Sequence, residues 1–185
     1  MGARWLSGAL LVIAAWSSAS GETPAVTALL KDLHLVGYRP GTKPPEFIGD
    51  TLDRRRLSVS DVHGKVVVLN FWATWCLECR PEMPVLERLH RELASQGLAI
   101  IGINTREDRQ TVERYASELG LTFPLVLDQR GANTGLYGVI GIPTTFVIAR
   151  DGRAVGFGAG PRDWASPAAR ALIDALLAEP APRLP

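Results

Sequence analysis

The sequence predicts an α/β domain built on a central mixed β-sheet flanked by helices, with a β-hairpin placed before the core. Three observations carry that prediction. The run Val66-Val67-Val68-Leu69, continued by Asn70-Phe71, is apolar and β-branched enough to be a buried strand. Two strand-then-helix units follow one another, which implies a parallel pair joined by a right-handed crossover. Further on, two apolar runs flank the Asp151-Gly152 pair, a hairpin signal that adds an antiparallel strand.

The chain has 185 residues, 46% of them hydrophobic and 21% charged, enough for one well-buried core with appendages. Met1 to Ser20 differs from the rest: Arg4 gives a positive start, Leu6 to Trp16 is apolar apart from Ser7, and Ser17-Ser18-Ala19 offers small residues for cleavage. This is a secretory signal pattern and places the chain in the periplasm or another extracytoplasmic space. The apolar run falls short of the ~20 residues of a spanning helix. Cleavage and retention as an anchor both remain open, so membrane contact is expected only if the segment is kept. The formal net charge is +1 and the one run of like charge is Arg54-Arg55-Arg56, so no nucleic-acid footprint is expected.

Gly21 to Pro45 reads as a linker with one marginal helix around Val26 to Leu33. Phe47-Ile48 and Leu57-Ser58-Val59 form the hairpin, and His63 falls in an exposed turn. After the central strand, Met83, Leu86, Leu89 and Leu93 step by three and four until Gly97. A helix from about Cys76 to Gln96 follows, kinked at Pro84. Leu98 to Asn104 is the second strand, Arg109 to Leu119 the second helix, Phe123 to Leu127 a third strand, and Asp128 to Tyr137 holds at most a short helix. Gly141-Ile142-Pro143-Thr144 enters the strand ending at Ile148, and Ala154 to Phe157 returns antiparallel. A closing helix spans Trp164 to Leu177, and residues 180–185 are a Pro-rich tail. The organisation is thus a signal over 1–20, a linker over 21–45, the domain over 46–179 and the tail.

The chain holds two cysteines, Cys76 and Cys79. A structural staple gains stability with the length of loop it closes, and this pair closes almost none, so redox chemistry is the better use of it. A thiol of pKa ~8.5 is only ~3% ionised at neutral pH, and a helix N-terminus at Cys76 favours the thiolate that attacks disulfides. Cys79, one turn deeper, then closes on Cys76. The competing readings are half a zinc site and a buried apolar pair. Zinc wants four ligands, and His90 alone shares the helix, where it packs or faces solvent. No metal and no cofactor are expected.

Phe71-Trp72-Ala73-Thr74-Trp75-Cys76-x-x-Cys79, the proline-interrupted helix and Gly141-Ile142-Pro143-Thr144 resemble the thioredoxin superfamily. The hairpin, the signal segment and Cys79-Arg80-Pro81-Glu82-Met83-Pro84 narrow the resemblance to exported thiol-disulfide oxidoreductases similar to TlpA, ResA and the cytochrome c maturation thioredoxins. It implies a thioredoxin-like fold, a cis Ile142-Pro143 bond facing the cysteines, and a substrate-binding surface of Trp75, Ile142, Pro143 and Thr144. It further implies protein thiol or disulfide substrates and a membrane thiol-disulfide electron donor. From the residues alone, Pro143 is equally a proline at a strand start. Two departures stand out. Asn70 occupies the central-strand position where thioredoxins proper bury an acid, and cannot titrate; Glu82 matches the acid that ResA-like members place just after the second cysteine, and the resemblance implies the proton-handling role for it, against the plainer reading of a surface first-turn Glu. Between the cysteines stand Leu77-Glu78, whose charge makes the dithiol more reducing. The expected activity is reduction of protein disulfides; a disulfide-forming oxidase and a non-catalytic thiol- or metal-binding module are the alternatives. A peroxidase would need a Thr and Arg constellation that the sequence does not offer.

Overall fold

The computed structural model describes residues 23–182. The expected signal segment lies outside them. A six-stranded mixed sheet has the order β1-β8-β7-β4-β5-β6, where β1 is Val36–Gly37, β4 Val66–Trp72, β5 Leu98–Thr105, β6 Leu125–Asp128, β7 Thr144–Ile148 and β8 Ala154–Ala159. Strand β4 is central and buried along its whole length, parallel to β5 on one side and antiparallel to β7 on the other. Its side chains alternate between two cores, as strand geometry requires. Val66, Val68 and Trp72 face a helical core with Met83, Leu86, Leu172 and Leu176, while Val67, Leu69 and Phe71 face Phe47, Ile101, Tyr137 and Phe146. A strand buried on both faces is why the sequence reads as a continuous apolar run.

The helices are α1 (Pro24–Asp32), α2 (Glu82–Leu93), α3 (Arg109–Leu119), α4 (Ala132–Leu136) and α5 (Pro167–Leu177). Their starts follow local chemistry: Thr23, Asp108 and Ser166 each accept a backbone N–H of the first turn of α1, α3 and α5. The hairpin strands β2 (Ile48–Asp50) and β3 (Arg56–Ser58) form a separate two-stranded sheet. Thr51 bridges Val126, so the hairpin covers the otherwise open edge at β6.

Two expectations need correction. The supposed linker contains α1 and β1, and both belong to the domain: Val26, Leu30, Leu33 and Leu35 are buried, and β1 pairs with β8. Gly156 makes room for this, since a Cβ there would come within 2.9 Å of Leu30. The helix read from Cys76 begins instead at Glu82; Cys76 to Pro81 is a succession of turns, with Cys79 N donating to Cys76 O and Glu82 N to Cys79 O. Pro84 is therefore the third residue of α2, where no intrahelical N–H is needed and no kink arises.

Candidate functional site

Strand β4 delivers the chain to one end of the sheet, and the loop that leaves it carries the two cysteines. Cys76 and Cys79 are joined, with an S–S distance of 2.05 Å and Cα atoms 5.3 Å apart. Cys79 is fully enclosed, whereas Cys76 keeps 6% exposure between exposed Trp75 and Leu77. The outer sulfur is thus the one that a partner can reach. Cys79 N–H points at Cys76 Sγ, 3.1 Å away, a donor that stabilises negative charge on that sulfur. It takes over the part assigned above to a helix N-terminus.

The opposite wall comes from the turn before β7. Register pairs Phe71 with Thr144, which sets Pro143 beside the end of β4 from which the cysteine loop departs. The Ile142-Pro143 bond is cis. Gly160 N donates to Pro143 O at 2.7 Å, and Thr144 Oγ1 donates to Gly141 O at 2.6 Å, so the turn is held from both sides. Trp75 and Ile142 line a common cleft. Pro143 and Thr144 are not among its lining.

Glu82, at the first position of α2, is buried, contrary to the surface reading. Its Oε1 accepts Arg162 N at 2.6 Å, and Asn70 Nδ2 lies 3.5 Å from Oε2 while donating to Thr145 Oγ1 at 2.9 Å. Asn70 therefore occupies the middle of the strand as a neutral relay between β7 and the carboxylate. Burial is the largest influence on Glu82 and pushes its pKa up to about 7, against the Arg162 amide, Asn70, the Trp164 side chain and the Arg162 charge, which all pull it down. Arg162 is itself fixed: its guanidinium donates to Gly160 O, Ala159 O and His34 O. The segment read as a linker thus helps to hold the amide that Glu82 uses.

Sequence reasoning missed Glu107. Its carboxylate accepts Thr74 N and Asn104 Nδ2, both at 2.7 Å, and also the Thr74 hydroxyl, tying the residue before Trp75 to the end of β5. The available signal was position, because polar residues just beyond the carboxyl end of a parallel strand are where α/β sheets collect their sites. The remaining polar candidates are elsewhere. His63 is exposed, and His90 is half-buried against Phe123. No group of three or more potential metal ligands occurs among the described residues, and no helix among them is long and apolar enough to cross a membrane.

Over 113 residues the chain is 40% identical to the thiol-disulfide oxidoreductase ResA of Geobacillus thermodenitrificans, covering 61% of this chain and 65% of that relative. It is 36% identical over 152 residues to the thioredoxin-like protein YneN of Bacillus subtilis, covering 80% and 85% of the two chains. A solved thiol:disulfide interchange protein of the thioredoxin family from Chlorobium tepidum superposes with a TM-score of 0.65 at 33% identity, over 77% of this chain and 99% of that one. Residues 40–155 match the AhpC/TSA family, well over half of the chain, and this protein therefore belongs to that thioredoxin-like family.

Proposed function

We propose that the chain is an exported thiol-disulfide oxidoreductase that reduces disulfides of partner proteins. The observation that carries this reading is the asymmetry of the pair: Cys76 is the reachable sulfur and receives an N–H, and Cys79 lies enclosed behind it. In the reduced chain the Cys76 thiolate attacks one sulfur of a partner disulfide, and the other partner sulfur leaves with the electron pair. Glu82 accepts the proton of Cys79, whose thiolate then displaces the partner from Cys76 and regenerates the internal disulfide. A carboxylate with a pKa of about 7 suits both halves of that proton exchange. Trp75, Ile142, Pro143 and Thr144 hold the partner segment in extended form beside the sulfur, in the manner of strand addition. Assembly of c-type cytochromes is the use that the resemblance suggests, with electrons supplied by a membrane thiol-disulfide donor, and the N-terminal segment supports an extracytoplasmic site.

Reduction of insulin disulfides with dithiothreitol tests the reading. Wild type accelerates the reaction and Cys76→Ser does not; equal rates would contradict it. Cys79→Ser accumulates the mixed disulfide and identifies the partner. A reducing potential for the couple supports the reductive direction, and an oxidising one would turn the assignment to disulfide formation.

A further inference from the structure

Beside the exchange pair lies a cleft of about 500 Å³ whose lining includes Trp75, Ile140, Ile142, Thr105 and Arg106. Trp75 is 67% exposed and Ile140 wholly so, an uncovered apolar pair of the kind that marks a contact surface. Arg106 is the one charged residue in the lining, and no carboxylate is there. Its backbone is unusual. Arg106 holds φ at +60°, a region that residues with a Cβ seldom occupy and that concentrates at functional sites.

The bend is built in, since Arg106 N donates to Asp128 O at the end of β6. The side chain then passes close over Gly131, where even a Cβ would meet Arg106 Nε at 2.9 Å. Three other arginines are engaged: Arg109 donates to carbonyls of Thr51 and Leu52, Arg80 pairs with Glu118, and Arg162 caps its own loop. The neighbouring carboxylate of Glu107 is turned to Thr74 and Asn104. Arg106 has no ion-pair or hydrogen-bond partner for its guanidinium among the described residues. A strained backbone thus presents an unspent cation in the lining of a cleft that also contains Trp75, the residue before the attacking Cys76.

We propose that this cleft selects the partner: it accepts a polypeptide segment carrying a large apolar side chain and an acidic side chain close to the cysteine under attack, the first against Trp75 and Ile140, the second on Arg106. The proposal rests on the exchange reading above. A guanidinium meeting a carboxylate at a half-open surface is worth little in absolute affinity, but it discriminates between charges of opposite sign.

The test uses the full chain, reduced, and peptides whose single cysteine carries a thionitrobenzoate disulfide, with Leu and either Asp or Lys placed on each side in turn. As the chromophore leaves, the chain's dithiol becomes a disulfide and the peptide disulfide becomes two thiols. In wild type kcat/KM favours the Asp peptide over the Lys peptide by roughly threefold to tenfold, and the preference fades at about 1 M salt. Arg106→Glu reverses the preference, and Arg106→Gly, whose backbone suits the same bend, erases it without reversal. Because each ratio is taken within one variant, partial loss of folding cancels. An Asp to Lys ratio unchanged by Arg106→Glu, or Leu→Gly peptides reacting as fast as their parents, overturns the proposal. Release no faster with wild type than with Cys76→Ser overturns instead the exchange reading beneath it.

Discussion

Helix α2 buries two carboxylates that look alike in sequence, Glu82 and Glu87, exposed by only 3% and 6%. Their surroundings differ. Burial opposes the charge of Glu87 too, but Thr122 donates to it from both its N–H and its hydroxyl at 2.6 Å and Arg91 Nε at 2.5 Å, with Phe123 N at 3.4 Å; together these hold it below the usual carboxylate range. Glu82 has one short backbone donor and one amide at 3.5 Å, so burial wins and its pKa rises to about 7. Both side chains are all but closed to solvent, yet Glu82 lies deeper among protein atoms and has fewer donors, and the two differences together separate a carboxylate that ties α2 to the Thr122 loop from one able to exchange a proton beside a thiol.

The sharpest way to break this contrast is kinetic. Glu82→Gln slows disulfide exchange at neutral pH by roughly 10²-fold or more, the range of positioned acid-base groups, whereas Glu87→Gln leaves the rate per folded molecule as in wild type. Stability shows the reverse. Urea unfolding of Glu87→Ala loses about 2–4 kcal/mol, because two backbone N–H groups, a hydroxyl and a guanidinium lose their acceptor.

The pH dependence has opposite signs at the two sites. The folded pKa of Glu82 stands above its unfolded value near 4.3, so the native state holds the extra proton. The contribution of Glu82 to stability is therefore fully present below about pH 4 and falls by roughly 3 kcal/mol as pH rises through about 7, a component of the wild-type profile that Glu82→Gln removes. The lowered pKa of Glu87 makes its contribution fully present above the unfolded value and lost as pH falls through the acid range. A slope unaltered by Glu82→Gln would mean that the carboxylate is charged in the fold. The smallest effect is expected at Arg162→Ala, which frees the loop that presents the Arg162 amide to the Glu82 carboxylate and costs about 1 kcal/mol in urea.

Much of this was legible in the chain because it is local. The seven buried residues of β4, the cysteine pair and the Asp151-Gly152 turn declare themselves by periodicity and spacing. What failed depends on distant partners. The marginal helix expected around Val26 to Leu33 is present as α1, but that α1 and β1 belong to the domain shows only once α5 and β8 supply the other half of the core. The start of α2 was misplaced because helical spacing continues backward from Met83 through Cys79, while the backbone there makes successive turns. Glu107 and the Arg162 amide reach the site from far along the sequence, and Glu107 sits between Arg106 and Asp108 in what reads as an ordinary charged loop.

The most direct measurement is the pH profile of disulfide exchange by the reduced chain, compared between wild type and Glu82→Gln. The account predicts an inflection near pH 7 in wild type that vanishes in the variant. Superimposable profiles would contradict it, leaving Glu82 as a second structural carboxylate like Glu87.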